Sequence, residues 1–162
     1  MSDLKKIVFY TEILGNVCII CKNKKIYEVC IGVSNKEIET LDYSYKECLT
    51  YRDLFIDYLS GKPLEIKVEN IYIERVSPFY QDVYRETLKI PFGNVTTYKD
   101  IAKAINRPRA YRAVATALKR NPFPVFVPCH RIIRSDGKIG GIDKRSFSFR
   151  KILLDLERRE NG

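Results

Sequence analysis

Cys129 and His130 stand side by side in Pro128-Cys129-His130-Arg131, and His130 is the only histidine of the 162-residue chain. A thiol is a weak nucleophile until it loses its proton, and a nearby base or cation promotes that loss. Neighbours on a strand point apart, so cooperation between the two requires a turn, a helix start or a bridging water. A third group should orient the imidazole. Glu157, one turn after Leu153 on the inner side of what reads as the last helix, is the carboxylate suited to that task. Taken alone, a Cys-His pair is more often a buried cysteine beside a surface histidine.

The other cysteines are Cys18, Cys21, Cys30 and Cys48. An odd total argues against a disulfide framework. Cys18 and Cys21 form a C-x-x-C, but they lie in NVCIICKNKKIYEVCIG, a β-hairpin pattern with KNKK at the turn. Residues three apart on a strand face opposite ways, and zinc needs four converging ligands. These cysteines read as small buried hydrophobes, and no metal or other cofactor is expected.

The elements that must place Cys129 fall into two halves. The front reads as strands at Ile7–Leu14, Asn16–Lys22 and Lys25–Val33. A helix over Tyr45–Leu59 follows, with Leu49, Arg52, Phe55, Ile56 and Leu59 at helical spacing, stopped by Ser60-Gly61. Leu64–Val68 has the pattern of a short strand. The back half opens at Ser77-Pro78, Ser as N-cap and Pro in the first turn. That helix carries Val83, Tyr84, Thr87 and Leu88 and ends before Pro91-Phe92-Gly93. Thr97 caps a short helix over Tyr98–Asn106, Arg107-Pro108 breaks it, and a further helix runs from Arg109 to Arg120. Two short helices around a tight turn suggest a helix-turn-helix. After Asn121-Pro122, the apolar ProValPheValPro reads as an extended segment driven through the core to Cys129. A last amphipathic helix starts near Ser146 with Phe149, Ile152, Leu153 and Leu156 inward, and frays from Arg158. The fold class is α+β, with a small antiparallel-sheet domain over 1–75 and a mostly helical domain over 76–162.

Charge separates the same halves. Residues 1–80 carry 11 Lys+Arg against 12 Asp+Glu; residues 81–162 carry 18 against 8, and 11 of those 18 are Arg. Arg suits phosphate because its planar fork donates paired hydrogen bonds. The asymmetry suggests a polyanion-binding half on a neutral support, against the plainer alternative of solvated surface charge. No apolar run approaches the roughly 20 residues of a membrane span. MSDLKKIVFY lacks the long apolar core of a signal peptide, so the expected location is the cytoplasm.

VPCHRIIRSDGKIGG resembles the active-site segment of the O6-alkylguanine-DNA alkyltransferases, also called methylated-DNA–protein-cysteine methyltransferases. PFGNVTTYKDIAKAI is similar to the first helix of that family's helix-turn-helix. RAYRAVATALKRNPFPVFVPCHR is similar to its recognition helix, asparagine hinge and nucleophile strand. The likeness covers Ser77 to Glu157; over residues 1–76 only the order of elements is similar.

The resemblance implies an enzyme of direct DNA repair that moves an alkyl group from O6-alkylguanine, with O4-alkylthymine as an alternative base, onto itself in a single turnover. Cys129 would be the acceptor. His130 would act as base through a water, oriented by Glu157. Asn121 would be the hinge. Tyr98 would sit by the flipped nucleotide, crowd its 3′ phosphate and donate a proton or hydrogen bond to the purine. Arg112 would fill the gap in the base stack, and Ala110, Ala113, Ala115 and Thr97 would face DNA. Pro124, Ile142 and Asp143 would line the pocket, and Arg131 would tie loops near the site. It further implies a ribonuclease H-like front domain, double-stranded DNA with alkylated bases as partner, no membrane, and a monomer.

One segment departs from the family. Where members carry a Tyr-Ser-Gly-Gly-like stretch, this chain reads Gly141-Ile142-Asp143-Lys144-Arg145-Ser146, about one residue longer. A backbone N–H near Asp143 or the side chain of Ser146 would have to substitute. Two other functions fit the sequence less well. A non-enzymatic damage-recognition protein is disfavoured by the presence of Cys129. A thiol hydrolase is disfavoured by the lack of an oxyanion motif.

Overall fold

The computed structural model describes residues 3–36, 46–140 and 144–161, with backbone only at 144–147 and 161. It is an α+β structure in two compact units, Met1–Arg75 and Val76–Gly162.

In the first unit, β1 (Leu4–Thr11), β2 (Gly15–Lys22) and β3 (Lys25–Ile31) form an antiparallel sheet in the order β1-β2-β3. The β2–β3 turn is Asn23-Lys24, both at positive φ (51° and 62°). That is the twist a two-residue hairpin needs. The strands begin and end up to three residues from the sequence expectation, because Thr11, Leu14 and Gly15 make the first turn: the Leu14 N–H donates to Thr11 Oγ1. Helix α1 (Leu49–Leu59) buries Tyr51, Phe55, Tyr58 and Leu59. Phe9 meets Phe55 edge-on at 5.6 Å between ring centres. Ile56, one of the residues at helical spacing, is exposed. Gly61 at φ 102° ends the helix, its N–H donating to the Tyr58 carbonyl. The strand expected at Leu64–Val68 does not form. Ile71 takes the position beside Ile26 of β3, and Val68–Asn70 closes into a 3-10 turn.

In the second unit, α2 (Pro78–Thr87) starts at Ser77, whose backbone is extended but whose side chain makes no capping bond. Tyr84 is fully buried and donates its hydroxyl proton to the Ala117 carbonyl at 2.6 Å, binding α2 to the segment around Ala117. Helix α3 (Tyr98–Ala104) is capped by Thr97, whose hydroxyl accepts the Asp100 N–H. Asn106, at φ 62°, takes the left-handed conformation that ends this helix. Helix α4 spans Tyr111–Lys119.

Two short parallel strands, β4 (Thr96–Thr97) and β5 (Ile132–Ile133), join the start of α3 to the segment just after Cys129. Helix α5 runs over Lys144–Asn161. It remains helical past Arg158, where fraying was expected. Its inward stripe is Arg150, Leu153, Leu154 and Glu157, an i, i+3, i+4, i+7 set. Ile152, expected inside, is 37% exposed. No helix of the described residues is long and apolar enough to cross a membrane.

Candidate active site

The approach to Cys129 is buried but not extended. Phe123, Val125, Phe126 and Val127 are all core residues, yet the chain coils tightly among them. Val125 adopts φ 74°, a costly conformation for a β-branched residue. Val127 N–H donates to the Phe123 carbonyl. Asn121 makes this possible from outside the coil: its Oδ1 accepts the Phe123 N–H at 2.9 Å and its Nδ2 donates to the Val127 carbonyl at 3.0 Å. Buried backbone groups need partners, and one side chain supplies two of them. The expected nucleophile strand is thus corrected to a compact turn, followed by a 3-10 helix at Cys129–Arg131.

That single turn resolves the problem posed by adjacency. With three residues per turn, Cys129, His130 and Arg131 point about 120° apart rather than to opposite faces. Cys129 is 3% exposed and His130 1%.

His130 Nε2 lies 2.7 Å from Glu157 Oε1. Arg131 donates from Nε to both Glu157 oxygens at 3.0 and 2.9 Å, from one terminal nitrogen to Oε1 at 2.8 Å, and from the other to the Ile90 carbonyl. The Gly93 N–H adds a bond to Oε2 at 3.0 Å. Burial by itself would raise the carboxyl's pKa, but the hydrogen bonds from His130 and Arg131 outweigh it and hold Glu157 well below the ordinary carboxylate range. Burial lowers the pKa of His130, against the pull of Glu157. The arrangement is therefore a carboxylate beside a neutral imidazole at neutral pH. A carboxylate only accepts, so Nε2 carries the ring proton and Nδ1 carries the lone pair. The ring is poised to take a proton on the side away from Glu157.

Tyr98 opens α3 directly after the Thr97 cap, and β4–β5 pairing brings that start beside the Cys129 turn. On α4 and its approach, Arg109, Arg112, Ala113, Thr116, Lys119 and Arg120 are exposed, and Ala110 and Ala115 half-buried. This makes a cationic face with small residues between the charges. A cavity of about 360 Å³ lies here, its described lining including Tyr98, Arg112, Ala115, Gly140 and Arg150. Pro124 is half-buried and bridges to Val127 in the turn, outside that lining. Cys129 is not among its described lining residues either. Ile142 and Asp143 lie outside the described residues, as does the side chain of Ser146.

Sequence reasoning did not single out Arg150 or Gly93. Arg150 was visible in principle, as a cation on the apolar stripe of α5. Gly93 contributes only a backbone N–H and leaves no side-chain signal.

The remaining cysteines are packed in the first unit. Cys18 and Cys30 face each other across β2 and β3, and Cys21 and Cys48 share a hydrogen bond. Burial, with Cys30 nearby, pushes the Cys18 thiol up to about 12. Among the described residues no group of His, Cys, Asp or Glu could hold a metal ion.

A family model described as 6-O-methylguanine DNA methyltransferase, DNA binding domain, matches residues 78–159. The methylated-DNA–protein-cysteine methyltransferase of Methanosarcina barkeri is 46% identical over 79 residues, 49% of each chain. Its counterpart in Saccharolobus islandicus is 40% identical over 116 residues, 72% of this chain and 71% of the relative. The matched part thus spans from about half to under three-quarters of these relatives' length. The crystal structure of Mycobacterium tuberculosis O6-methylguanine methyltransferase superposes with a TM-score of 0.81 at 25% identity, covering 97% of this chain and 94% of that one. A structure titled as Mycobacterium tuberculosis OGT in complex with DNA superposes at 0.78 and 26% identity, over 97% and 93%.

Proposed function

This chain belongs to the 6-O-methylguanine DNA methyltransferase family, and on that premise we propose that it repairs DNA by moving an alkyl group from O6 of guanine to Cys129. The observation that carries the reading is the fixed set behind the thiol: a neutral His130 held by Glu157, itself clamped by Arg131.

The step is an in-line displacement at a saturated carbon. The Cys129 proton passes through a water to His130 Nδ1, and the imidazolium so formed is stabilised by the Glu157 carboxylate. The thiolate attacks the alkyl carbon, the C–O bond breaks, and its electron pair stays on the purine. The product is a thioether, which this chain has no evident means to cleave, so each molecule acts once. No metal or cofactor enters the step. O4-alkylthymine offers the same kind of exocyclic oxygen and is the second base proposed.

A thiol only 3% exposed cannot meet a base stacked in a duplex. The nucleotide must be turned out, at a cost of a few kcal/mol. Arg112, exposed on α4, would fill the space left behind, as an inserted side chain does in other DNA-bending proteins. Helices α3 and α4 would act as a helix-turn-helix on double-stranded DNA, with Thr97, Ala110, Ala113 and Ala115 near the backbone and Tyr98 beside the everted nucleotide. Asn121 would hold α4 to the Cys129 turn, while Pro124, Ile142 and Asp143 would shape the pocket. The units 1–75 and 76–162 would be a ribonuclease H-like support and the working domain. The chain is proposed to act as a monomer in the cytoplasm.

The test is a duplex carrying O6-methylguanine, followed by mass spectrometry of the protein. The expected result is one added methyl on Cys129, lost in Cys129→Ala. Tight binding of the modified duplex with no methyl moved would replace this reading with damage recognition alone.

A further inference from the structure

Among the described residues, Arg150 is a buried cation with no carboxylate partner. It is 5% exposed, and none of the ion pairs among the described residues includes it. Its hydrogen bonds go to three neutral oxygens: the Tyr98 hydroxyl at 3.1 Å, the Gly140 carbonyl at 3.2 Å and the Leu118 carbonyl at 3.3 Å. Removing a charge from water without an opposite charge is costly. Leucine or methionine would fill the same stripe of α5 without that cost. The three acceptors also come from three different places: the first turn of α3, the end of α4, and the loop after β5. At Gly140 the packing is so close that a Cβ would overlap the Tyr98 hydroxyl. The phenol therefore packs directly against the Gly140 backbone, at the wall of the cavity that Arg112 also lines.

We infer that Arg150 is a positioning residue for Tyr98, a fixed cation that grips the phenol by its oxygen and leaves the hydroxyl proton for the everted base. A guanidinium only donates, so the Tyr98 oxygen is the acceptor in this contact and its own O–H must point elsewhere. The inference rests on the alkyl-transfer reading. When the carbon moves to sulfur, the C–O electron pair leaves the purine anionic. The Tyr98 proton passes to a ring nitrogen of that anion, the phenolate left behind faces the guanidinium, and solvent later returns the proton. In this role Arg150 acts through Tyr98, by the hydrogen bond to its hydroxyl oxygen.

The experiment compares single-turnover methyl transfer and duplex affinity in the full chain for Arg150→Met, Arg150→Lys, Tyr98→Phe and the double variant Arg150→Met with Tyr98→Phe. Arg150→Met should slow transfer by about 10- to 100-fold, near the low end of what a positioned acid contributes. The duplex concentration for half-saturation should stay within about threefold, as expected when an interaction made only in the transition state is lost. The double variant should be no slower than the slower single variant, because Arg150 acts only through the Tyr98 hydroxyl that Tyr98→Phe removes. Arg150→Lys should recover part of the rate. If Arg150→Met does not fold, Arg150→Lys alone decides: a slowing seen with Tyr98 present must vanish in the Tyr98→Phe background. Wild-type rates in Arg150→Met, losses that multiply with Tyr98→Phe, or a loss lying entirely in affinity would each overturn the inference. A wild-type chain that transfers no methyl would instead overturn the alkyl-transfer reading itself.

Discussion

The two units treat buried polar groups in opposite ways. In Met1–Arg75, the described core is aliphatic, aromatic and thiol, with Thr11 its one buried polar residue. In Val76–Gly162 the core holds His130, Arg131, Arg150 and Glu157 as well. Four cysteines sit in the first unit and one in the second, so the contrast is not in the number of thiols. In the first unit burial and neighbouring thiols keep Cys18 protonated at neutral pH. In the second, the thiol adjoins a neutral imidazole backed by a carboxylate. The two units thus surround their cysteines differently, with apolar side chains and other thiols in the first and titratable groups in the second.

The sharpest way to break this comparison is Glu157→Ala. It strands the Arg131 cation and the His130 N–H in the core, and breaking a buried pair costs about 3–5 kcal/mol. Chemical denaturation should show that loss, and methyl transfer should fall with it. A stability unchanged within error would mean that the clamp contributes nothing.

A smaller effect is expected from acid. The folded pKa of His130 is lowered, so from about pH 6.5 downward the unfolded chain binds a proton that the folded chain refuses. Stability should decline over that window until the folded pKa is reached. Glu157, also lowered, adds a second decline below about pH 4.3, where the unfolded carboxylate protonates first. Both contributions are fully present above pH 7. Denaturation at pH 7 and pH 5.5 should show a loss for the wild type that His130→Gln reduces. The same lowering favours the neutral ring, so below about pH 6.5 transfer should fall less steeply than a free imidazole would dictate.

The smallest effect should come from the first unit. Cys18→Ala removes one buried sulfur, costs about 1 kcal/mol, and should leave the methyl-transfer rate unchanged. A transfer defect in Cys18→Ala would blur the division of labour between the units.

Much of the scaffold was legible because local rules fixed it. Asn23-Lys24 made a two-residue turn, Pro78 opened a helix, Thr97 capped one, and Gly61 stopped one. Glu157 could be placed on the inner face of α5 from spacing to Leu153 alone. The segment Pro124–Pro128 differs from its expected strand because an apolar run with β-branched residues has the pattern of a strand. Nothing in that run shows that Asn121 will satisfy its backbone instead of a neighbouring strand. Ile152 was misplaced for a related reason: periodicity leaves the exact angle of a helix face open by one residue.

The sequence by itself determined the chemistry on offer, a lone histidine beside a cysteine with an Arg-rich second half, and the order of elements carrying it. Both are properties of residue type and short-range spacing. Tertiary structure alone decided that Arg131 and Gly93 would clamp Glu157 and that Arg150 would grip Tyr98. Those contacts join residues 26 to 64 positions apart, through hydrogen bonds whose partners are chosen only once the core has closed around them.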